Sequence, residues 1–434
     1  MERITATYLL ETPEPVEKVA GMMAGEQSSG TFVRVAGETD ELRARTAAEV
    51  LSIEPQDETA APALRSAWLE RRGARGPWRR ALVRIAYPAG NIGRNLATLA
   101  ATVSGNLYDL GEVTGLKLLS LDLPSAYRAR YPGPAQGIAG TRSAIGVAGR
   151  PVFGTIIKPN VGMRPEEIAA LVDTLCAAGV DFIKDDEVCA NPDCAPLAAR
   201  VPAVMAVIRK WRERTGRQVM MAFNITDETD AMRRHADLVL AEEGSCVMAS
   251  LNWCGLSGIE TLRAHTPLAL HGHRNGFGAM SRHPLLGMAF PAYGALFRLA
   301  GVDHLHVHGL DGKFVDLPGE VREAARFCLA PLADGLPGGR SDGCPDGGSD
   351  DRVMPAFSSG QWAGTLPQTF AAAGSADFMF MCGGGILAHP GGPAAGVASL
   401  REAWEVVAGG GALEEGARTR PALAAALGFY GGLH

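Results

Sequence analysis

The chain has 434 residues, 47% of them hydrophobic and 20% charged, with a formal net charge of −6. That length allows one large domain or two ordinary ones around a sizeable core. The mildly acidic balance leaves no basic footprint for nucleic acid, and no run approaches the roughly 18 apolar residues of a membrane span, so neither is expected as a partner.

The opening residues Met1–Lys18 lack the apolar centre of a signal peptide and read as a strand, ITATYLLE, so a cytoplasmic protein is expected. A helix follows from Pro13 through Met23, then a strand at TFVRVAG, and a helix at DELRARTAAEV. RRALVRIAYP is a third strand, NIGRNLATLAATV a helix, and GLKLLSLDLP a fourth strand. This spacing predicts an N-terminal α+β domain over residues 1–130 with an antiparallel, ferredoxin-like sheet. It ends in the linker YPGPAQGIAG.

From Pro151 the rhythm changes. VFGTII, VDFIK, QVMMAFNI, CVMASL, PLALHGH, DHLHVH, RVMPAFS and DFMFMC are short apolar runs separated by helical stretches. Eight βα units in about 270 residues predict a (β/α)₈ (TIM) barrel over 140–434, closed by C-terminal helices. No GxGxxG follows the first of these strands, which disfavours an open dinucleotide-binding sheet. The Gly-, Asp- and Pro-rich stretch at 334–351 reads as a surface loop. Eight cysteines are scattered without a CxxC pair, the pattern of reduced thiols.

Barrels of this kind carry their chemistry at the carboxyl ends of the strands, and the polar residues fall there. Lys158 ends the first strand, and Lys184, Asp185, Asp186 and Glu187 end the second. Asn224 ends the third, and Asn252 follows the fourth. His271, His273 and Arg274 lie at the fifth, and His304, His306 and His308 along the sixth. Ser358 and Ser359 end the seventh, and Gly383, Gly384 and Gly385 follow the eighth. Carboxylates packed as tightly as in KDDE repel unless a cation lies between them, and hard oxygens suit Mg²⁺. A charged turn at a strand end is the competing reading. Lys158, if buried, would have a lowered pKa and act as an acid/base; a surface lysine at a loop start is the alternative. The paired histidines fit either a zinc site or acid/base and phosphate binding. The glycines after the seventh and eighth strands offer free backbone N–H groups for a phosphate. Lys313 in GLDGKF looks like a cation on a glycine-hinged lid, or a plain exposed loop.

GTIIKPN, DFIKDDE and GGGILAHP, in this order, resemble the large subunit of ribulose-1,5-bisphosphate carboxylase/oxygenase (RuBisCO), and more closely the RuBisCO-like (form IV) proteins. The resemblance runs from AGEQSSGTF to GGGILAHPGG. It implies that Lys184 takes up CO₂ as a carbamate and that this carbamate, Asp186 and Glu187 are the protein ligands of Mg²⁺. It implies Lys158 as acid/base, His273 on the substrate hydroxyls, and Lys313 as the lid lysine. Arg274, His306 and Ser358 would hold the acidic end of the substrate. Thr31, Gly360, Gly383 and Gly384 would hold its phosphate. Glu26, Thr31 and Asn106 would come from the N-terminal domain of a second subunit, so that a homodimer shares its active sites.

Four departures stand out. Asn160 replaces a site lysine, Phe32 a tryptophan, Ser359 a glycine, and His308 the glycine that opens the lid. Loss of a cation from a site built for a bisphosphate and CO₂ argues against carbon fixation. The remaining core suits an enolising lyase or isomerase. The retained Lys313, Arg274 and His306 favour decarboxylation of 3-oxoisoapionate 4-phosphate in apiose breakdown. The transcarboxylase/hydrolase acting on the same compound is the alternative, with 5-methylthioribulose-1-phosphate isomerase and 2,3-diketo-5-methylthiopentyl-1-phosphate enolase behind it. A sugar-phosphate binding protein without catalysis and a zinc hydrolase remain as readings of other classes.

Overall fold

The computed structural model describes residues 2–30, 35–310, 312–332 and 350–432. Its strands in chain order are β1 (Arg3–Thr12), β2 (Glu49–Thr59), β3 (Trp78–Pro88), β4 (Gly115–Asp122), β5 (Val152–Ile156), β6 (Phe182–Lys184) and β7 (Met220–Asn224). They continue with β8 (Cys246–Ser250), β9 (Ala269–His273), β10 (Leu286–Met288), β11 (His304–His306), β12 (Met354–Phe357) and β13 (Met379–Met381). The chain forms two compact units.

The first unit draws on Met1–Pro132 and Gly276–Ala300. Its sheet has the order β10-β4-β1-β3-β2. The four N-terminal strands pair antiparallel, in the ferredoxin-like order. Alternate residues of β1, namely Ile4, Ala6, Tyr8 and Leu10, are buried, as period-two patterning requires. Four expectations from the sequence are corrected here. The expected strand at TFVRVAG lies partly outside the described residues, and its described part, Val35–Gly37, is loop and turn. The helix after it stops at Thr46, and β2 begins at Glu49. The sheet is also not purely antiparallel, because β10 adds parallel to β4. The helix Phe290–Ala300, read as part of the barrel, packs on β4.

The second unit draws on Gly133–Asn275, Gly301–Ala330 and Asp350–His434. All eight expected barrel strands are present, and they close in the order β11-β12-β13-β5-β6-β7-β8-β9. Every pairing is parallel. Strands buried on both faces need continuous apolar runs, which makes them legible in sequence. The helix after β5 shows the local grammar. Pro165 opens it, Glu167 accepts the Arg164 N–H at 2.8 Å, and left-handed Gly179 ends it.

The barrel core contains Val152, Phe182, Met220, Ala222, Cys246, Met248, Ala269, Met354, Ala356, Met379 and Met381. Stepping on by two places Lys184, Asn224, Ser250, His271, Ser358 and Gly383 on the same strand faces. The interior is thus apolar toward the amino ends of the strands and polar toward their carboxyl ends.

Candidate active site

Two lysines and two carboxylates meet at the ends of β5 and β6. Lys158 Nζ donates to Asp186 Oδ2 and to Asn160 Oδ1, each at 2.7 Å. Lys184 Nζ donates to Asp185 O at 3.0 Å and lies 3.6 Å from Glu187 Oε2. His273 Nε2 stands 3.5 Å from the same Glu187 oxygen. Of the two readings open for Lys158, the structure gives the exposed one, and the buried lysine is Lys184. Its side chain is 2% exposed, against 40% for Lys158. Burial pushes the Lys184 amine below its ordinary pKa, and the nearby Glu187 and Asp186 carboxylates only partly restore it.

Asp185 belongs to the scaffold. It pairs with the fully buried Arg200 at 3.1 Å and accepts the Asn224 N–H at 2.9 Å. Asn224 in turn donates its side-chain amide to the carbonyls of Asp186 (3.0 Å) and Glu187 (3.2 Å). These bonds fix the backbone from which the two carboxylates project. The sequence marked Asn224 by its place at a strand end. Arg200 carried no such signal, because it lies within a helix, Leu197–Thr215, with an apolar face.

The histidines of β9 and β11 form a buried chain. His271 Nε2 lies 2.8 Å from His306 Nε2, and His271 Nδ1 3.3 Å from His304 Nδ1. His304 Nε2 meets Thr141 Oγ1 at 2.7 Å, and His306 Nδ1 meets Ser358 Oγ at 3.1 Å. Burial holds His271, His273 and His306 well below the ordinary imidazole pKa and lowers His304 to about 4. The rings are therefore neutral, and His304, His271 and His306 are bonded in sequence. Among the described residues, no three His, Cys, Asp or Glu side chains form a metal-holding group. The imidazoles thus give the zinc-hydrolase reading no support.

Arg274, His306 and Ser358 come together as expected: Arg274 Nε donates to His306 O at 2.9 Å, and Ser358 meets His306. The sequence missed Asp316, which lies 3.4 Å from the Arg274 guanidinium and bonds His308 Nδ1. His308 and Ser359 both adopt positive φ, 64° and 72°. That is the region glycine favours, and holding a side chain there costs about 1–3 kcal/mol each.

The segment after β11 packs on the turn after β12. A Cβ on Gly309 would lie 1.9 Å from Gln361 Nε2 and 2.9 Å from the Ser358 and Ser359 carbonyls. Lys313 N donates to Ser359 Oγ at 3.2 Å. Lys313 itself is exposed, its Nζ 5.3 Å from the Phe314 ring centroid, and is not drawn into the lysine–carboxylate cluster. Gly383 and Gly384 begin the turn Gly384–Leu387. A Cβ on Gly385 would lie 2.4 Å from Gln361 O, so this turn packs against the segment that follows Gly360. In the first unit Asn106 Nδ2 donates to Glu26 Oε1 at 3.2 Å. Thr31, Phe32 and most of the 334–351 stretch lie outside the described residues.

Residues 137–430 match the ribulose bisphosphate carboxylase large chain, catalytic domain, and residues 4–127 the N-terminal domain of the same chain. The chain is 46% identical over 429 residues to the 3-oxo-isoapionate-4-phosphate transcarboxylase/hydrolase of Xanthobacter autotrophicus, covering 99% of both. It is 41% identical over 426 residues to the 3-oxo-isoapionate-4-phosphate decarboxylase of Rhizobium rhizogenes, covering 98% of this chain and 97% of the relative. The crystal structure of a rubisco-like protein from Burkholderia fungorum superposes with a TM-score of 0.91 at 58% identity, over 99% of this chain and 100% of that one. The chain therefore belongs to the ribulose bisphosphate carboxylase large-chain family, among its RuBisCO-like members.

Proposed function

We propose that this enzyme acts on 3-oxo-isoapionate 4-phosphate, or a closely similar phosphorylated keto sugar acid, and releases its carboxylate as CO₂ without fixing carbon. The observation that carries this reading is the Lys158–Asp186 and Lys184–Glu187 cluster at the ends of β5 and β6. Relatives that share this substrate, at 41–46% identity over nearly the whole chain, support it.

The donors suit a magnesium ion. Asp186 and Glu187 offer hard oxygens, but Lys184 supplies none as a free amine. A carbamate on Lys184 would add the third oxygen. The burial that favours the neutral amine also favours its attack on CO₂. Carbamylated Lys184, Asp186 and Glu187 would then hold Mg²⁺, which when bound supplies Lewis-acid polarisation of the substrate's keto group.

The chain's own side chains do the rest. Gly360, Gly383 and Gly384 present backbone N–H groups to the phosphate. Arg274, His306 and Ser358 hold the opposite end of the substrate. His273, neutral by burial, bonds the substrate hydroxyls. As the bond between the carboxylate and its neighbouring carbon breaks, the electron pair moves onto the keto oxygen. Lys158 Nζ then returns a proton to that carbon. Lys313, exposed in this structure, would meet the departing carboxylate only if its loop moved over the site.

The relative at 46% identity favours a second outcome, in which the carboxylate is transferred and retained after hydrolysis. Substrate labelled with ¹³C in its carboxylate separates the two. Labelled CO₂ is the expected product; label retained in an organic acid establishes the transferase, and no turnover overturns the substrate. Turnover of methylthio-sugar phosphates instead would support the isomerase or enolase reading.

We further propose a cytoplasmic homodimer in which Glu26, Thr31 and Asn106 of one chain complete the site of the other. Exposed Val161, Val188, Trp253, Phe314, Val315 and Leu317, on segments at the carboxyl ends of barrel strands, support a covered face. No helix among the described residues is long and apolar enough to cross a membrane, and the described cysteines are free thiols.

A further inference from the structure

The Arg274 end of the site already contains a protein anion. The Arg274 side chain is 3% exposed, and its guanidinium lies 3.4 Å from Asp316 Oδ1. The second oxygen of Asp316 bonds Nδ1 of His308. His308 is set for this contact. Its backbone is left-handed at φ 64°, and the Phe314 ring lies against its imidazole, with centroids 4.5 Å apart. Asp316 is thus gripped from both sides, by a buried arginine at the end of β9 and by a histidine at the start of the loop that carries it.

We propose that Asp316, anchored by His308, is a specificity residue: it holds the Arg274 end of the site with a carboxylate of the protein and thereby refuses a second phosphate on the substrate. Burial alone would raise the Asp316 carboxyl, but the His308 hydrogen bond and the Arg274 charge outweigh it and hold it at about 2. Asp316 is therefore an anion at any working pH. A phosphate dianion brought to Arg274 must either displace this carboxylate or sit beside it, and like charges at contact distance repel strongly in a partly buried site. A hydroxyl meets no such repulsion and finds acceptors on Asp316 and donors on Ser358 and Arg274. The site therefore selects sugars with one phosphate, held at the glycine end, and a neutral polar group at the arginine end, in place of the acidic group expected there from the sequence. This deepens the proposed function, on which it rests only in taking the ligand to be a phosphorylated sugar. It also supplies a positive reason why a bisphosphate is refused, beyond the loss of a site lysine at Asn160.

The test is a binding measurement that needs no turnover. Xylitol 5-phosphate and xylitol 1,5-bisphosphate lack a carbonyl and cannot react, and their affinities can be read by titration calorimetry in the presence of Mg²⁺ and bicarbonate. The native chain is expected to bind the monophosphate at least ten-fold more tightly than the bisphosphate. Asp316→Asn keeps the shape and removes the charge, and should raise the ratio of bisphosphate to monophosphate affinity ten-fold or more. His308→Ala leaves Asp316 unanchored and should move the ratio in the same direction by a smaller factor. It also serves as the readout if the Asp316 variant does not fold. Equal affinity of the native chain for both ligands, binding of neither, or an unchanged ratio in the folded variants overturns the proposal. Failure of the decarboxylase reading would appear separately, as absence of CO₂ release by a native chain that still prefers the monophosphate.

Discussion

Lys184 and Lys158 illustrate how position divides two residues of one type. Lys184 is the third and last residue of β6, on the inward face, and is wholly buried among carboxylates. Lys158 lies two residues beyond β5, outside the core, where it can reach Asp186 and still meet a substrate. Replacing Lys184 by Met keeps the volume and removes the amine. Mg²⁺-dependent CO₂ release should fall by at least a thousand-fold, with circular dichroism unchanged; near-native activity would refute the carbamate model. Lys158→Ala should lower kcat by about 10²–10⁴, the usual range for an acid/base, with a smaller change in KM. His304 makes a different prediction. Its folded pKa is about 4 against an ordinary 6.5, so the unfolded chain binds its proton first as pH falls. Stability is therefore lost between pH 6.5 and 4, by about 3 kcal/mol from this group. Denaturant titrations across that range should show the loss, and His304→Gln should flatten the curve. A variant with the native slope would count against it.

Among the elements, the segment after β11 is the one whose shape chemistry depends on most. It begins at His308, runs over the turn Ser358–Gly360, and ends at Asp316. Gly309 makes the approach possible, since any side chain there would enter the Gln361 amide. Gly309→Ala should therefore keep the barrel intact while preventing the lid from seating. We expect kcat to fall by about 10² or more, the scale of a misplaced catalytic group, with Tm within a few degrees of native. Unchanged kinetics would show that Lys313 is not delivered by this seating. Ser359 contributes from the other side, its hydroxyl accepting the Lys313 N–H. The serine that stands where the family resemblance implies a glycine thus holds the backbone at Lys313.

At the scale of the whole molecule, the proposed sharing of sites between two chains makes a prediction of its own. Chains carrying Lys184→Ala should be inactive, and chains carrying Glu26→Ala with Asn106→Ala nearly so. Co-expressed, the two should recover about a quarter of native activity, because half of the dimers are mixed and each mixed dimer rebuilds one of two sites. Activity no higher than the parents' would mean that each chain completes its own site. A single monomeric species in sedimentation would independently rule out the shared site.

The barrel was legible because its determinants are local. A parallel strand buried on both faces must be a short apolar run, and the residue two places beyond its last core position stays on the inner face. That is why the polar rim from Lys184 to Gly383 could be found by reading alone. The sequence pattern failed where structure is settled by contacts distant in the chain. β2 is an edge strand with most of its residues exposed, so it carries no alternation to detect. β10 has three residues and exists only because β4 offers a parallel edge. The pairing of Arg200 with Asp185, the histidine chain from Thr141 to Ser358, and the capture of Arg274 by Asp316 all join separate elements. Motif spacing could name the family and bring candidate residues to one rim of the barrel. Which lysine is buried, and which charge Arg274 already holds, depends on desolvation and Coulomb terms that exist only once the barrel has closed.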